Sequence, residues 1–166
     1  MTTPFYGTAD GFRAYLTARN LTAQHSNQDS TVNASLLVAT EWLDARYRSV
    51  FPGLKTGGRT QVRQWPRRGA SDIYGYYIDY LTVPAQIEDA TYEAARVELG
   101  EPGSLTVNYT RPEYIEATIN GALSVKYNTT LTARDIQKQI QLVDQALYEI
   151  IRPAAGGGSI FGTATR

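Results

Sequence analysis

Asp29-Ser-Thr-Val-Asn-Ala-Ser-Leu-Leu-Val-Ala-Thr-Glu-Trp-Leu-Asp-Ala-Arg-Tyr47 is the stretch that decides the fold class. Val32, Leu36, Ala39, Leu43 and Tyr47 recur at intervals of four, three, four and four residues, the period of one helix face. Leu37, Val38 and Trp42 widen the apolar surface, so the helix is expected to be covered on more than one side. Asp29 or Ser30 can cap it. It must stop before Phe51-Pro52-Gly53, which predicts a helix over Ser30–Ser49.

Working outward, Thr8 can cap a short helix with Phe12, Tyr15 and Leu16 on one face, ending near Asn20. Pro84 suits a first helical position. Behind it Ile87, Ala90, Ala94 and Val97 give a helix over Pro84–Leu99 that stops at Gly100. The period then falls to two: Leu105, Val107 and Tyr109; Ile115, Ala117 and Ile119; Leu123, Val125 and Tyr127. Asn120-Gly121 between the last two runs is a type I′ hairpin signal. Thr132-Ala-Arg-Asp135 resembles a capping box with Asp in the acidic place. Ile136, Ile140, Val143, Leu147 and Ile150 follow on one stripe, and Pro153 ends a last helix over Thr132–Arg152.

The expected fold is mainly α: a small helical bundle with a two- or three-stranded antiparallel hairpin or sheet before the last helix. Residues 1–152 form one domain with its β region at 104–128, and residues 153–166 form a flexible C-terminal arm. That arm holds Gly156-Gly157-Gly158-Ser159 and then Ile160-Phe161, either a loose end or a docking hook. No internal repeat is visible. Residues 51–83 have no helical period and carry Tyr74, Tyr76, Tyr77 and Tyr80. So long an irregular segment inside a compact domain usually has a function.

Composition removes several chemistries. The 166 residues include no Cys and one histidine, His25, which excludes thiol catalysis and Cys-based metal sites and disfavours a triad or multi-His centre. Glu88, Asp89 and Glu93 share a helix and could hold a divalent ion, but no partner motif accompanies them. Neither Gly57-Gly58 nor the later glycine run has the Lys-Ser/Thr of a phosphate loop. The expectation is a protein without catalytic residues, metal or cofactor. The opening Met-Thr-Thr-Pro-Phe has no basic apolar leader, and no span suits a membrane. That points to an intracellular protein or one released by lysis.

Charge is neutral overall but segregated. Residues 46–68 hold seven basic side chains and no acid, whereas 69–101 hold seven acids against Arg96. Thirteen of the sixteen basic residues are Arg, the residue suited to bidentate contacts with carboxylate or phosphate. Three readings follow. The cluster is a solvated surface; or it contacts nucleic acid with Trp65 and the tyrosines stacking on bases; or it pairs with the acidic segment of a neighbouring identical chain in a head-to-tail ring. Charge alone ranks these equally.

Ala34-Ser-Leu-Leu-Val-Ala-Thr-Glu-Trp-Leu-Asp44-Ala-Arg-Tyr47 resembles the A-T-x-x-L-D-x-R-Y helix of small tailed-bacteriophage proteins often labelled DnaT-like single-stranded-DNA-binding proteins. Phe51-Pro-Gly53 is similar to their aromatic-Pro-Gly turn, and Gln61 with Trp65-Pro66-Arg67 to their Q-x-x-x-W-P-R signature. Val83-Pro84 with Ala90 and Ala94-Ala95 resembles their Pro-led helix, although Thr91-Tyr92 precedes Glu93 here; Asp10-Gly-Phe-Arg-Ala-Tyr15 is similar to their opening helix. The match spans roughly residues 5 to 128. The joint spacing is more specific than any one piece.

The resemblance implies a head-to-tail adaptor of the virion neck, made in the host cytoplasm. Such a protein forms a ring, usually twelvefold, beneath the portal. It extends the channel for the double-stranded genome and presents a platform to the tail, tail-tube or nozzle protein. On that reading Arg59, Arg63, Arg67 and Arg68 pair with Glu88, Asp89, Glu93 or Glu98 of the next subunit or face the DNA path. Trp65, Tyr74, Tyr76, Tyr77 and Tyr80 form the loop or tail interface, and Ile150, Ile151, Ile160 and Phe161 dock into the portal. The family label itself implies the alternative, a single-stranded-DNA-binding protein of phage replication.

Overall fold

In a computed structural model the chain is described over residues 4–21, 24–106, 116–119, 123–126 and 140–151, the two four-residue segments by their backbone. Helix α1 runs Ala9–Ala18. Thr8 caps it from an extended conformation, its Oγ1 accepting the Gly11 N–H at 3.0 Å, the arrangement that satisfies an otherwise orphaned first-turn donor. Phe12, Tyr15 and Leu16 face inward, as their spacing requires.

Helix α2 runs Asp29–Tyr47, and all five residues of the deciding stripe are fully buried. Its start differs from expectation. Gln28 occupies the cap position without a side-chain cap bond, and the Asp29 carboxylate, inside the first turn, instead pairs with the Arg13 guanidinium. Helix α3, Ala85–Gly100, begins one residue later than expected. Pro84 is extended at ψ 144°, and its carbonyl accepts from Ile87 and Glu88. Ile87, Ala90, Ala94 and Ala95 are buried, and the small side chains let α3 lie close along α2.

Tyr92 projects from α3 between Phe12 and Tyr15, with ring centroids 6.1 and 5.6 Å away. Its hydroxyl accepts the Thr8 N–H at 3.2 Å. A Cβ at Gly7 or at Gly11 would stand 2.3 Å from that hydroxyl oxygen, so the ring fits only because both positions lack a side chain.

The last described helix, α4, is Gln141–Leu147. Ile140 is extended at φ −113°, ψ 101°, so the expected unbroken helix through Ile140 is interrupted there; a β-branched side chain accepts extended backbone readily. Residues 132–139, with the expected capping box, lie outside the described residues, as does the arm 153–166. Helix α4 packs on α3. Val143, Leu147, Ile150 and Ile151 are all buried in the shared core. Ile150 and Ile151 are therefore core residues rather than portal-docking ones: the turn after α4 carries them back into the bundle.

The β elements are small. β1 (Leu54–Lys55) pairs antiparallel with β2 (Arg67–Arg68), and β3 (Glu116–Ile119) with β4 (Leu123–Lys126). Ile119 pairs with Leu123, whereas a two-residue turn at Asn120-Gly121 would pair Ile119 with Ala122; the connection is one residue longer than the dipeptide signals. Leu105 lies in a turn after α3, not in a strand, and Val107 and Tyr109 fall outside the described residues. The molecule is thus mainly α with small antiparallel pairs. No helix among the described residues is long and apolar enough to cross a membrane.

Candidate nucleic-acid interface

Residues 51–83 divide into an inward half and an outward half. In the inward half, Trp65 is 1% exposed and stands edge-on to Phe51 at 5.7 Å. The Trp65–Pro66 peptide is cis. Pairing of Leu54 with Arg68 and of Lys55 with Arg67 turns alternate side chains to opposite faces: Arg67 points into the molecule and Arg68 out of it. The Arg67 guanidinium donates to the carbonyls of Pro52 and Gly53, each at 2.6 Å, and to Gln64 Oε1 at 3.0 Å. It therefore holds the Phe51-Pro52-Gly53 turn through its carbonyls, with no carboxylate partner, and burial pushes its pKa below the usual arginine value. The turn itself needs glycine: Gly53 has φ +69°, and a Cβ there would lie 2.5 Å from the Arg68 carbonyl oxygen.

Gln61 completes the arrangement. Its amide nitrogen donates to the Arg63 and Pro66 carbonyls and its amide oxygen accepts from Gly57. Asp44, on α2, receives the whole segment. One carboxylate oxygen accepts from the Tyr6 hydroxyl at 2.7 Å, the other from the Gln64 N–H at 3.2 Å. The Tyr6 hydroxyl in turn accepts the Trp65 N–H at 3.0 Å. Burial raises the Asp44 pKa, with the Tyr6 and Gln64 hydrogen bonds and the Arg63 charge acting against it. Burial and the neighbouring carboxylate also push the Tyr6 phenol upward.

The outward half is the tyrosine segment. Tyr74, Tyr76 and Tyr77 are 67%, 73% and 63% exposed, and Tyr80, Ile73 and Leu81 are exposed beside them. The backbone beneath is ordered: Ser71 bridges Tyr77, Ile78 donates to the Ala70 carbonyl, and Asp72 donates to the Tyr76 carbonyl. Thr56 Oγ1 donates to the Tyr80 carbonyl at 2.8 Å, so the segment lies along β1. Leu54 and Arg68 share the outer face of the β1–β2 pair and are both exposed. Arg59, in a 3-10 turn over Gly58–Thr60, is exposed as well.

The structure therefore splits the candidate residues. Trp65 is core and forms no external aromatic surface. Arg67 is internal, and Arg63 donates to the Pro4 carbonyl and pairs with Glu41, which fastens the N-terminal segment; both guanidinium groups are engaged within the chain. Glu93 is 1% exposed and is held by Arg96 and by the Tyr15 hydroxyl; burial and that carboxylate push the Tyr15 phenol up to about 12. Glu98 accepts the N–H groups of Gly103 and Leu105 and closes the turn after α3. These two acids are consumed inside the chain, which also removes Glu93 from any ion site with Glu88 and Asp89. Glu88 and Asp89 are half-buried, and burial followed by the Asp89 charge raises the Glu88 pKa. Ile160 and Phe161 lie outside the described residues. What remains outward is Tyr74, Tyr76, Tyr77 and Tyr80 with Arg59 and Arg68.

Residues 5–166 match the family model described as "Putative DnaT-like ssDNA binding protein", and the chain belongs to that family. No curated protein and no solved structure matches it.

Proposed function

We propose that this chain acts by binding single-stranded DNA, with the tyrosine segment as its contact surface. The observation that carries the reading is the exposure of four tyrosines on a hydrogen-bonded loop. Each ring can take a base on its face, and such stacking is worth about 1–3 kcal/mol per base without sequence preference. Arg59 and Arg68 are exposed in the same irregular stretch and can take phosphates, and the family description names the same ligand class. No step of this function needs a catalytic residue or a cofactor. Fluorescence anisotropy of a labelled oligothymidylate across a salt series tests it. Two phosphate contacts give a slope of about −1.4 in log K against log salt, at about 0.7 per phosphate on a single strand. No binding at low salt, or equal binding by a variant lacking all four tyrosine rings, would sink the reading.

A second reading is favoured by a different observation. Arg63 and Arg67 are spent internally, and the exposed surface includes the aliphatic side chains of Leu54, Val62 and Leu81. Aliphatic surface beside tyrosine suits a protein partner better than phosphate. On this reading the chain is the head-to-tail adaptor of a virion neck, a ring of twelve copies between portal and tail around the genomic DNA, and the same surface meets a neighbour or the tail. Native mass of the chain, alone and mixed with its portal protein, discriminates: joining in a multiple that matches the portal's symmetry supports the adaptor, and a chain that ignores the portal removes it.

A further inference from the structure

The tyrosine segment owes its shape to the side chain of Asp72. Asp72 Oδ1 accepts two backbone N–H groups, those of Tyr74 at 2.9 Å and Tyr76 at 2.8 Å. Its own N–H donates to the Tyr76 carbonyl at 3.0 Å, and its carbonyl accepts from Gly75 at 3.2 Å. Gly75 turns the tip at φ +92°, a region open to glycine. Immediately after Asp72, the Ile73 N–H donates to the Glu149 carbonyl at 2.8 Å, which fixes the base of the tip to the turn behind α4. The tip is thus tied at its base to the bundle, and its two most exposed tyrosines are tied to a single carboxylate oxygen.

The side chain itself contributes nothing to the core: Asp72 is half-exposed, and the residues from Ile73 to Tyr77 around it are exposed. Its hydrogen bonds act on presentation. An exposed loop that must be ordered on binding loses part of its affinity to that ordering, and a loop held in advance does not. We infer that Asp72 is the positioning residue of the tyrosine surface, holding Tyr74 and Tyr76 in the arrangement that receives successive bases. This rests on the reading of the segment as a single-strand-binding surface.

The test uses Asp72→Ala and Asp72→Asn in the full chain. An Asn amide oxygen can accept the same two N–H groups, so D72N keeps the tip and removes a negative charge from the neighbourhood of phosphates; Ala keeps neither bond. Two readouts are needed. The first ignores ligand: chymotrypsin cleavage after Tyr74, Tyr76 and Tyr77 follows local opening of the tip. The second is anisotropy of labelled oligothymidylate, including its salt slope.

D72A is expected to be cut about tenfold faster and to bind about tenfold more weakly: water takes up the two freed N–H groups at this exposed tip, so the loss stays far below the combined worth of two buried bonds to a charged acceptor. Its salt slope and its melting temperature should match wild type, because the phosphate contacts and the core are untouched. D72N is expected to resist chymotrypsin like wild type and to bind at least as tightly. In a Tyr74→Ala/Tyr76→Ala background D72A should weaken binding no further. D72A cut no faster than wild type, or cut faster yet binding equally well, overturns the inference. If D72A is cut faster and wild type binds no oligothymidylate, the ordering role stands and the single-strand-binding reading falls.

Discussion

Gln61–Arg67 and Tyr74–Tyr80 lie in one irregular stretch, and both combine aromatic rings with polar loop chemistry; one faces in and the other out. Trp65 fills the core, Arg67 holds the preceding turn by the carbonyls of Pro52 and Gly53, and Gln61 ties the loop to itself. Tyr74, Tyr76 and Tyr77 touch little and stand in solvent. The segment with the most specific spacing is therefore the one that builds the fold, and the segment with the least specific spacing is the one free to meet a ligand. Recognisable spacing follows from packing constraints that fix residue types at intervals; an outward surface carries no such constraint.

Breaking the inward half should unfold the protein. Trp65→Ala is expected to cost about 3–5 kcal/mol, the range for removing a buried aromatic side chain, read as a large fall in the denaturation midpoint. Arg67→Ala should follow at about 3 kcal/mol, since it strands carbonyls that an ionised donor satisfied. Arg67→Lys should rescue little, because an ammonium cannot span the fork that reaches Pro52 and Gly53 together. An Arg67→Ala protein as stable as wild type would mean that the turn is held by something else.

The outward half should give the reverse pattern. Tyr76→Ala is expected to stay within about 0.5 kcal/mol of wild-type stability, as exposed substitutions do, while weakening oligonucleotide binding by about 1–3 kcal/mol. Equal effects of Trp65 and Tyr76 on stability would erase the contrast between the two halves.

The sequence shows the helices more clearly than the site. The 3.6-residue stripe of α2 emerges intact because packing on two helices demands an apolar side chain at each turn. The ends of elements were less legible: Asp29 has cap chemistry but is drawn to Arg13, and Ile140 continues a helical stripe but sits in extended backbone. At the site, periodicity says nothing about a segment with two-residue strands. The register that turns Arg67 inward and Arg68 outward is set by the partner strand Leu54–Lys55, which has no recognisable pattern of its own. Asp44 and Gln61 stand in the motifs, but their roles depend on partners 20 and 5 residues away. Asp72 had a local signal, an Asp three residues before the turn glycine of the tip, Gly75.

The smallest effect concerns Asp44, where the two halves of the chain's polar wiring converge. Its pKa is raised in the folded state by burial, so the folded protein binds a proton more readily than the unfolded chain does. Stability from this group is then fully present below the unfolded value, near the ordinary 3.8, and is lost as pH rises through the folded value. Hydrogen bonds from Tyr6 and Gln64 limit the shift, and so the loss is modest. Wild type compared with Asp44→Asn, by urea denaturation from about pH 4 to pH 7, should show the wild type gaining ground as pH falls. A difference that is flat with pH would show that the Tyr6 and Gln64 hydrogen bonds fully offset burial, and wild type gaining ground as pH rises would show that they outweigh it and hold the carboxylate in its ionised form.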